Sequence, residues 1–195
     1  MFGASDDATI DVAVADLNED GHQDLILANR DARPNRILFG DGNGKFSTGS
    51  DFGEPKRHTR AVAVADFDGD GHMDWVVGNI ASQNAVYFGD GKGGIVRSLN
   101  LGLAAGRTYA VAVADLNNDK RPDFVVGNVG QPNSTFYNAK EEFVAQPFGG
   151  DSATYGICTG DLDGDGFTDV VVANSNQQNN IFMNRRVTKP SQSNP

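Results

Sequence analysis

Four segments of the chain set oxygen-bearing side chains at one fixed spacing. They read Asp16-Leu17-Asn18-Glu19-Asp20-Gly21-His22-Gln23-Asp24, then Asp66-Phe67-Asp68-Gly69-Asp70-Gly71-His72-Met73-Asp74, then Asp115-Leu116-Asn117-Asn118-Asp119-Lys120-Arg121-Pro122-Asp123, and Asp161-Leu162-Asp163-Gly164-Asp165-Gly166-Phe167-Thr168-Asp169. Carboxylate or amide oxygens at positions 1, 3, 5 and 9, with the backbone carbonyl of position 7 (His22, His72, Arg121 or Phe167), suit a hard cation of calcium's size. Glycine at position 6 permits the sharp turn that would aim these oxygens inward. The third loop has Lys120 there, so a positive φ falls on a lysine, and Lys120 and Arg121 bring positive charge beside the ion. It is expected to bind most weakly of up to four Ca²⁺ sites. Fourteen of the 26 acidic residues lie at these ligand positions, and such crowding without a cation costs stability through like-charge repulsion. The alternative is that the loops are plain Asx-turns. An EF-hand does not fit, because its bidentate Glu at position 12 is replaced by Leu27, Val77, Val126 or Val172.

The elements that must hold such loops come from repetition. Val12–Asp16, Val62–Asp66 and Val111–Asp115 share the sequence Val-Ala-Val-Ala-Asp, and Ile157–Asp161 is a diverged copy. The loops therefore recur at spacings of 50, 49 and 46 residues, with Thr9, Thr59, Thr108 and Thr154 each seven residues ahead. In each copy an alternating Val/Ala strand enters the loop and an apolar strand leaves it, closing on Asn29, Asn79, Asn128 or Asn174. A third strand follows, then a Gly-Asp-Gly turn at 40–42 and 89–91, then a weaker fourth strand near Phe46 or Ile95. Four short antiparallel strands per repeat predict an all-β propeller in one domain spanning 1–186, with blades at about 2–51, 52–100, 101–147 and 148–186. Residues 187–195 read as a disordered polar tail.

Composition narrows the function. The 195 residues carry a net charge of −10 and include 24 Gly, no 18-residue apolar run, and scattered rather than clustered Lys and Arg. A membrane span and a nucleic-acid partner are both excluded as expectations. Cys158 stands alone, so no internal disulfide is possible; its alignment with Ala13, Ala63 and Ala112 predicts a buried packing thiol. Trp75 aligns with Leu25, Phe124 and Val170 and is expected in the core. The first residues have neither the basic nor the apolar segment of a secretory signal.

The loops, the Phe-Gly pairs at Phe39-Gly40 and Phe88-Gly89, and the repeat length resemble the FG-GAP/VCBS repeat family, which includes the integrin α-subunit propeller. The likeness covers about 1–186 and is nearer the VCBS type, since the Gly-Ala-Pro half of the FG-GAP signature is absent. It implies a calcium-bearing propeller of about seven or eight blades, in secreted or surface proteins that adhere to, bind or process glycans. Four repeats leave three arrangements open: a closed four-bladed ring, half of a dimeric eight-bladed ring, or part of a larger one.

Up-and-down topology puts the metal loops and Gly-Asp-Gly turns on one face. The opposite face should then carry the ligand, displaying Arg33 from a strand 2–3 loop, and Arg57, His58, Arg60, Arg107, Tyr109 and Tyr155 from the connections. Guanidinium and phenol groups stack on and hydrogen-bond to sugars or polar peptides. No nucleophile–base constellation stands out. The expected function is thus a non-catalytic, calcium-stabilised module that binds a carbohydrate or protein. The alternatives are the propeller portion of a polysaccharide-processing enzyme such as a lyase, or an architectural unit.

Overall fold

In the computed structural model, residues 3, 4, 7–54, 57–140 and 142–185 are described; the expected tail at 187–195 lies outside them. No described residue is helical, and no helix is long and apolar enough to cross a membrane. In the first repeat, β1 (Thr9–Ala15), β2 (Asp24–Asn29), β3 (Asn35–Gly40) and β4 (Phe46–Phe52) pair in sequence order, all antiparallel. The second repeats this with β5 (His58–Ala65), β6 (Asp74–Ile80), β7 (Asn84–Gly89) and β8 (Ile95–Leu101).

The third and fourth repeats share a five-stranded sheet of β9 (Thr108–Ala114), β10 (Asp123–Asn138), β11 (Phe143–Gly160), β12 (Asp169–Asn174) and β13 (Asn180–Phe182). The sequence predicts a loop near Gln131 and Asn133, and the chain does turn there: β10 doubles back on itself, so that Asn128 N–H donates to Asn133 Oδ1 and Asn138 N–H to Asp123 Oδ1, each at 2.8 Å, and its two halves are the second and third strands of the repeat. Gly130, at φ +69°, lies in that turn, whose residues also pair with β11, Val129 with Ala153 and Gln131 with Ser152. β11 passes from the third repeat into the fourth, pairing first with β10 and then with β12.

Side-chain alternation decides which sheet each strand faces. Val62 and Val64 of β5 turn toward the first sheet, and Ala63 and Ala65 toward the third repeat. β2 and β6 are covered on both faces, which is why they read as continuous apolar runs. Between the first two sheets lie Leu17, Ile26 and Ile37 against Val62, Trp75 and Val77, with the Phe52 ring edge-on to Trp75 at 5.5 Å and to Tyr87 at 5.1 Å. Trp75 is a core residue, as its alignment predicts. Phe67, Val76 and Val86 meet Phe124, Val126 and Phe136 at the next junction, and Leu116 and Val125 meet Val170, Val172 and Phe182 at the last. Close approach is possible because Gly78 faces Thr108, where a Cβ would lie 2.6 Å from the threonine methyl.

First strands pack on first strands, β1 on β5, β5 on β9 and β9 on β11, and among the described residues the series does not return to β1. The four repeats form an open arc, so the closed four-bladed ring is not the arrangement adopted. Cys158 is exposed, against expectation. Its counterparts Ala13 and Ala63 pack at the junctions with the following sheet, and among the described residues no sheet follows the fourth repeat.

Candidate functional site

The ninth residue of each loop anchors the whole motif. Asp24, Asp74, Asp123 and Asp169 are fully buried. One oxygen accepts from the backbone N–H just after the first loop aspartate: Leu17, Phe67, Leu116 and Leu162 donate at 2.9, 2.8, 3.0 and 2.9 Å. The other accepts from the end of the third strand, from Gly40, Gly89, Asn138 and Asn184 at 2.9, 2.9, 2.8 and 2.8 Å. Loop and outer hairpin are therefore tied through one carboxylate. The first aspartate accepts from position 6, from Gly21, Gly71, Lys120 or Gly166. The fifth, Asp20, Asp70, Asp119 or Asp165, accepts from the N–H of His22, His72, Arg121 or Phe167. Those four residues thus hold position 7 through a backbone bond.

The loops divide into two kinds. In the second and fourth, Asp66, Asp68 and Asp74, and Asp161, Asp163 and Asp169, bring carboxylate oxygens within 4.8 Å of one another, an arrangement that could hold a metal ion. In the first and third, position 3 is an asparagine whose oxygen accepts from the backbone of Asp20 or Asp119 and whose amide donates to the same residue's carboxylate. Asn18 and Asn117 are thereby turned toward the loop rather than to a shared centre. The first loop keeps a different feature that fits a cation: Asp16 Oδ1 is buried with no hydrogen-bond donor. In the third, the Arg121 guanidinium pairs with Asp119, donates to the Asn138 carbonyl at 2.8 Å, and so supplies positive charge from within the chain.

Lys120 takes φ +69°, as its place in the loop predicts. Lys120→Gly should therefore raise stability by about 1 kcal/mol, read as an upward shift of the thermal midpoint; an unchanged or lower midpoint would contradict the strain.

Burial dominates the electrostatics. It pushes the Asp74 carboxyl up to about 6 against the opposing hydrogen bonds from Gly89 and Phe67, with Asp68 and Asp70 adding to the rise. Burial likewise raises Asp123, helped by Asp119 and Asp115. At the turns the balance reverses: backbone N–H groups of Asn43 and Lys45 lower Asp41, and those of Lys92 and Gly94 lower Asp90. The His22 and His72 imidazoles lie against Gly42 and Gly91, confirming that loops and Gly-Asp-Gly turns share a face. His72 Nδ1 is 2.5 Å from Glu19 Oε1, which raises its pKa and links two neighbouring loops.

On the opposite face, Thr9, Thr59, Thr108 and Thr154 each donate to the closing asparagine, Asn29, Asn79, Asn128 or Asn174, at 2.6–2.8 Å. Those asparagines also bond the following loop, for example Asn29 Nδ2 to the Pro34 carbonyl. Their role is structural. Of the seven candidate ligand residues, three come together. Arg60 stands 5.5 Å over the Tyr109 ring, and Tyr109 lies 4.8 Å from Tyr155. They occupy one repeat position on β5, β9 and β11, whose stacking aligns them in a row, and Arg60 Nε is buried without an acceptor. Arg57 is instead tied to Glu54, the Gln83 carbonyl and Asn100. His58 and Arg107 both engage Ile80 through strand pairing, and Arg33 sits in the turn closed by its N–H to the Arg30 carbonyl. Two residues that sequence reasoning missed are Asn138 and Asn184, whose side chains donate to the Phe67 and Leu116 carbonyls of the preceding repeat.

Comparison with known proteins places these features in context. The FG-GAP-like repeat matches residues 16–77 and 66–126, and the FG-GAP repeat matches 153–181. No curated protein matches the chain. Similar solved structures include BBS1N in complex with ARL6DN, soaked with lead (TM-score 0.58, 16% identity, 86% of this chain and 51% of that one) and soaked with mercury (TM-score 0.54, 20% identity, 86% and 47%). Another is the V. cholerae biofilm matrix protein Bap1 (TM-score 0.53, 20% identity, 83% and 23%). The chain spans about half the length of BBS1N and a smaller part of Bap1. At these identities the likeness shows the fold.

Proposed function

The chain belongs to the FG-GAP-like repeat family, and from that premise we propose that it is a non-catalytic, calcium-stabilised propeller module that binds a protein through the face opposite its metal loops. The observation that carries the reading is the row of Arg60, Tyr109 and Tyr155. It sets a cation and two phenol rings side by side on adjacent inner strands, with a guanidinium N–H buried and unpaired. Tyr and Arg are the side chains that concentrate binding energy at protein interfaces, because they offer large rigid area with a polar tip. BBS1N in its complex with ARL6DN supports a protein partner for a propeller of this kind. A carbohydrate is the second reading, supported by the same phenol rings, on which a sugar face can stack, and by the biofilm-matrix relative. That relative also supports a place outside the cell.

Calcium is the cation of choice on the donor set. Every side-chain ligand position is an oxygen, and flexible loops with three or four carboxyl or amide groups suit calcium better than the rigid octahedron of magnesium. On this reading the ions staple loop to hairpin and leave the opposite face rigid for recognition.

A glycan array and a displayed peptide library, each probed in calcium and in EDTA, test the proposal. Hits on the library that fall at least tenfold in Arg60→Ala and Tyr109→Ala would support a protein ligand, since removal of such an anchor costs about 2 kcal/mol. Glycan hits with the same loss would move the assignment to carbohydrate. Hits that survive both substitutions would refute the row as the site.

A further inference from the structure

At the junction of the first two repeats, the chain fills the space beside the connecting segment with one of its own side chains. Arg57 is 11% exposed there; its guanidinium pairs with Glu54 at 2.8 Å and donates to the Gln83 carbonyl at 3.3 Å and to Asn100 Oδ1 at 3.2 Å. The next connection has the same length, from Leu101 to Thr108 against Phe52 to Thr59, and Gly106 stands where Arg57 does. A cavity of about 280 Å³ lies at that place, between the second and third repeats.

The neighbours of the missing arginine have changed with it. Glu54, Gln83 and Asn100 correspond to Leu103, Pro132 and Pro147, which line the cavity together with Val126, Phe136 and Ala145. The carboxylate and the amide oxygen that hold a guanidinium at the first junction are thereby absent from the second, and the wall is apolar. Leu103, at 64% exposed, carries that wall out to the surface. One acceptor stays open. Gln131 lines the cavity; its Nε2 donates to the Ala105 carbonyl at 3.3 Å, and its Oε1 is buried with no donor among the described residues. A buried acceptor of this kind costs stability until a donor reaches it.

We propose that the cavity takes the ring of a tryptophan or tyrosine side chain from a partner protein, the ring N–H or O–H donating to Gln131 Oε1. A flat apolar body with one polar tip matches an apolar wall with one open acceptor. A cation would meet no carboxylate among the lining residues, which separates this site from the one that Arg57 fills. The volume is below the range of about 300–1,000 Å³ for drug-sized ligands and suits a single large side chain. The connection and the Gln131 turn lie on the face opposite the metal loops, so the ring would enter from the recognition face. The inference rests on the protein-binding reading for the source of the ring, whereas the cavity and its acceptor are separate from the Arg60 row.

Methyl resonances of Leu103 and Val126 in the full chain, followed during titration with N-acetyl-tryptophanamide, N-acetyl-tyrosinamide and N-acetyl-phenylalaninamide, test this. The first two should shift these resonances saturably, at concentrations about fivefold lower than the third, whose ring has no donor. Ala145→Phe, on an exposed stretch of β11, fills the cavity from its rim and should abolish the response. Gln131→Met removes the acceptor and should bring the three probes to one affinity. Arg60→Ala and Tyr109→Ala should leave the probe response unchanged, which tells failure of the row from failure of the cavity. Displayed peptides that bind the wild type should carry Trp or Tyr and weaken about tenfold or more in Ala145→Phe. Unmoved resonances, a phenylalanine probe that binds as tightly as the others, or a response that survives Ala145→Phe would overturn the proposal. Peptides lost in Arg60→Ala but kept in Ala145→Phe would overturn it too, and would leave the Arg60 row as the site.

Discussion

Asp74→Ala is expected to destabilise the fold by about 2–5 kcal/mol, since it leaves two buried N–H groups without an acceptor at about 1–3 kcal/mol each. Those groups are the amides of Phe67 and Gly89, which donate to the two oxygens of Asp74 at 2.8 and 2.9 Å. The loss spreads beyond the loop, because Phe67 belongs to the cluster that joins the second and third repeats, where its ring lies 5.9 Å from Phe124. Asp74→Asn keeps one acceptor and turns an amide group toward the other N–H, so it should cost about half as much. Asp70→Ala supplies the contrast. Its backbone bond from His72 is exposed, and the cost should stay within about 1 kcal/mol. Urea denaturation of the three variants in EDTA measures the series; equal losses for Asp70→Ala and Asp74→Ala would refute the anchoring role of the ninth position.

The second large effect concerns metal and pH together. Two independent calcium sites, each at a hundredfold excess over its Kd, should add about 5 kcal/mol, a rise in midpoint of about 10–20 °C for a chain of this length. Without metal, the Asp74 carboxyl holds its proton up to about 6, above the ordinary carboxylate value near 4. The folded state then binds more protons than the unfolded state between these values. Its stabilising contribution is present below about 4 and is lost as pH rises through about 6. Asp123 acts with the same sign. The lowered Asp41 and Asp90 contribute in the opposite sense, but below the ordinary carboxylate range, outside this window. In EDTA the protein should accordingly melt higher at pH 5 than at pH 7, and in calcium, which favours the ionised carboxylate, the difference should shrink or reverse. Asp74→Asn identifies the group, because it removes most of the slope in EDTA, while His72, raised by Glu19, continues to act at higher pH. A midpoint in EDTA that rises from pH 5 to pH 7 would contradict the assignment.

Much of this was legible because the chain repeats itself. The Val/Ala alternation fixed which face of each first strand meets which neighbour, and the four closing asparagines, recurring at one position in the sequence, bond the following loop in every repeat. The burial of Trp75 followed from its alignment with Leu25, Phe124 and Val170. Features that break the repeat were harder to see. The extra pairing of the Gly130 turn with β11 leaves no alternation signal, since a Gly-Gln-Pro-Asn stretch reads only as a loop. Asn138 and Asn184 look like ordinary polar residues. Their signal was positional, because they lie 15 residues after Asp123 and Asp169, where Gly89 follows Asp74. The exposure of Cys158 could not come from alignment, which assumes that every repeat has a successor. The division of the metal loops into two kinds turned on Asn18 and Asn117, whose amides can satisfy Asp20 and Asp119 locally where Asp68 and Asp163 cannot.

The central claim is that the aspartate loops hold calcium and that the ion stabilises the propeller repeats. Calorimetric titration of EDTA-stripped protein with calcium, run beside thermal melts of the same samples, tests it most directly. The account predicts saturable binding with a higher midpoint, one site lost in Asp66→Ala and another in Asp161→Ala, and the smallest change on replacing Asp115. No heat of binding, together with one midpoint in calcium and in EDTA, would contradict it.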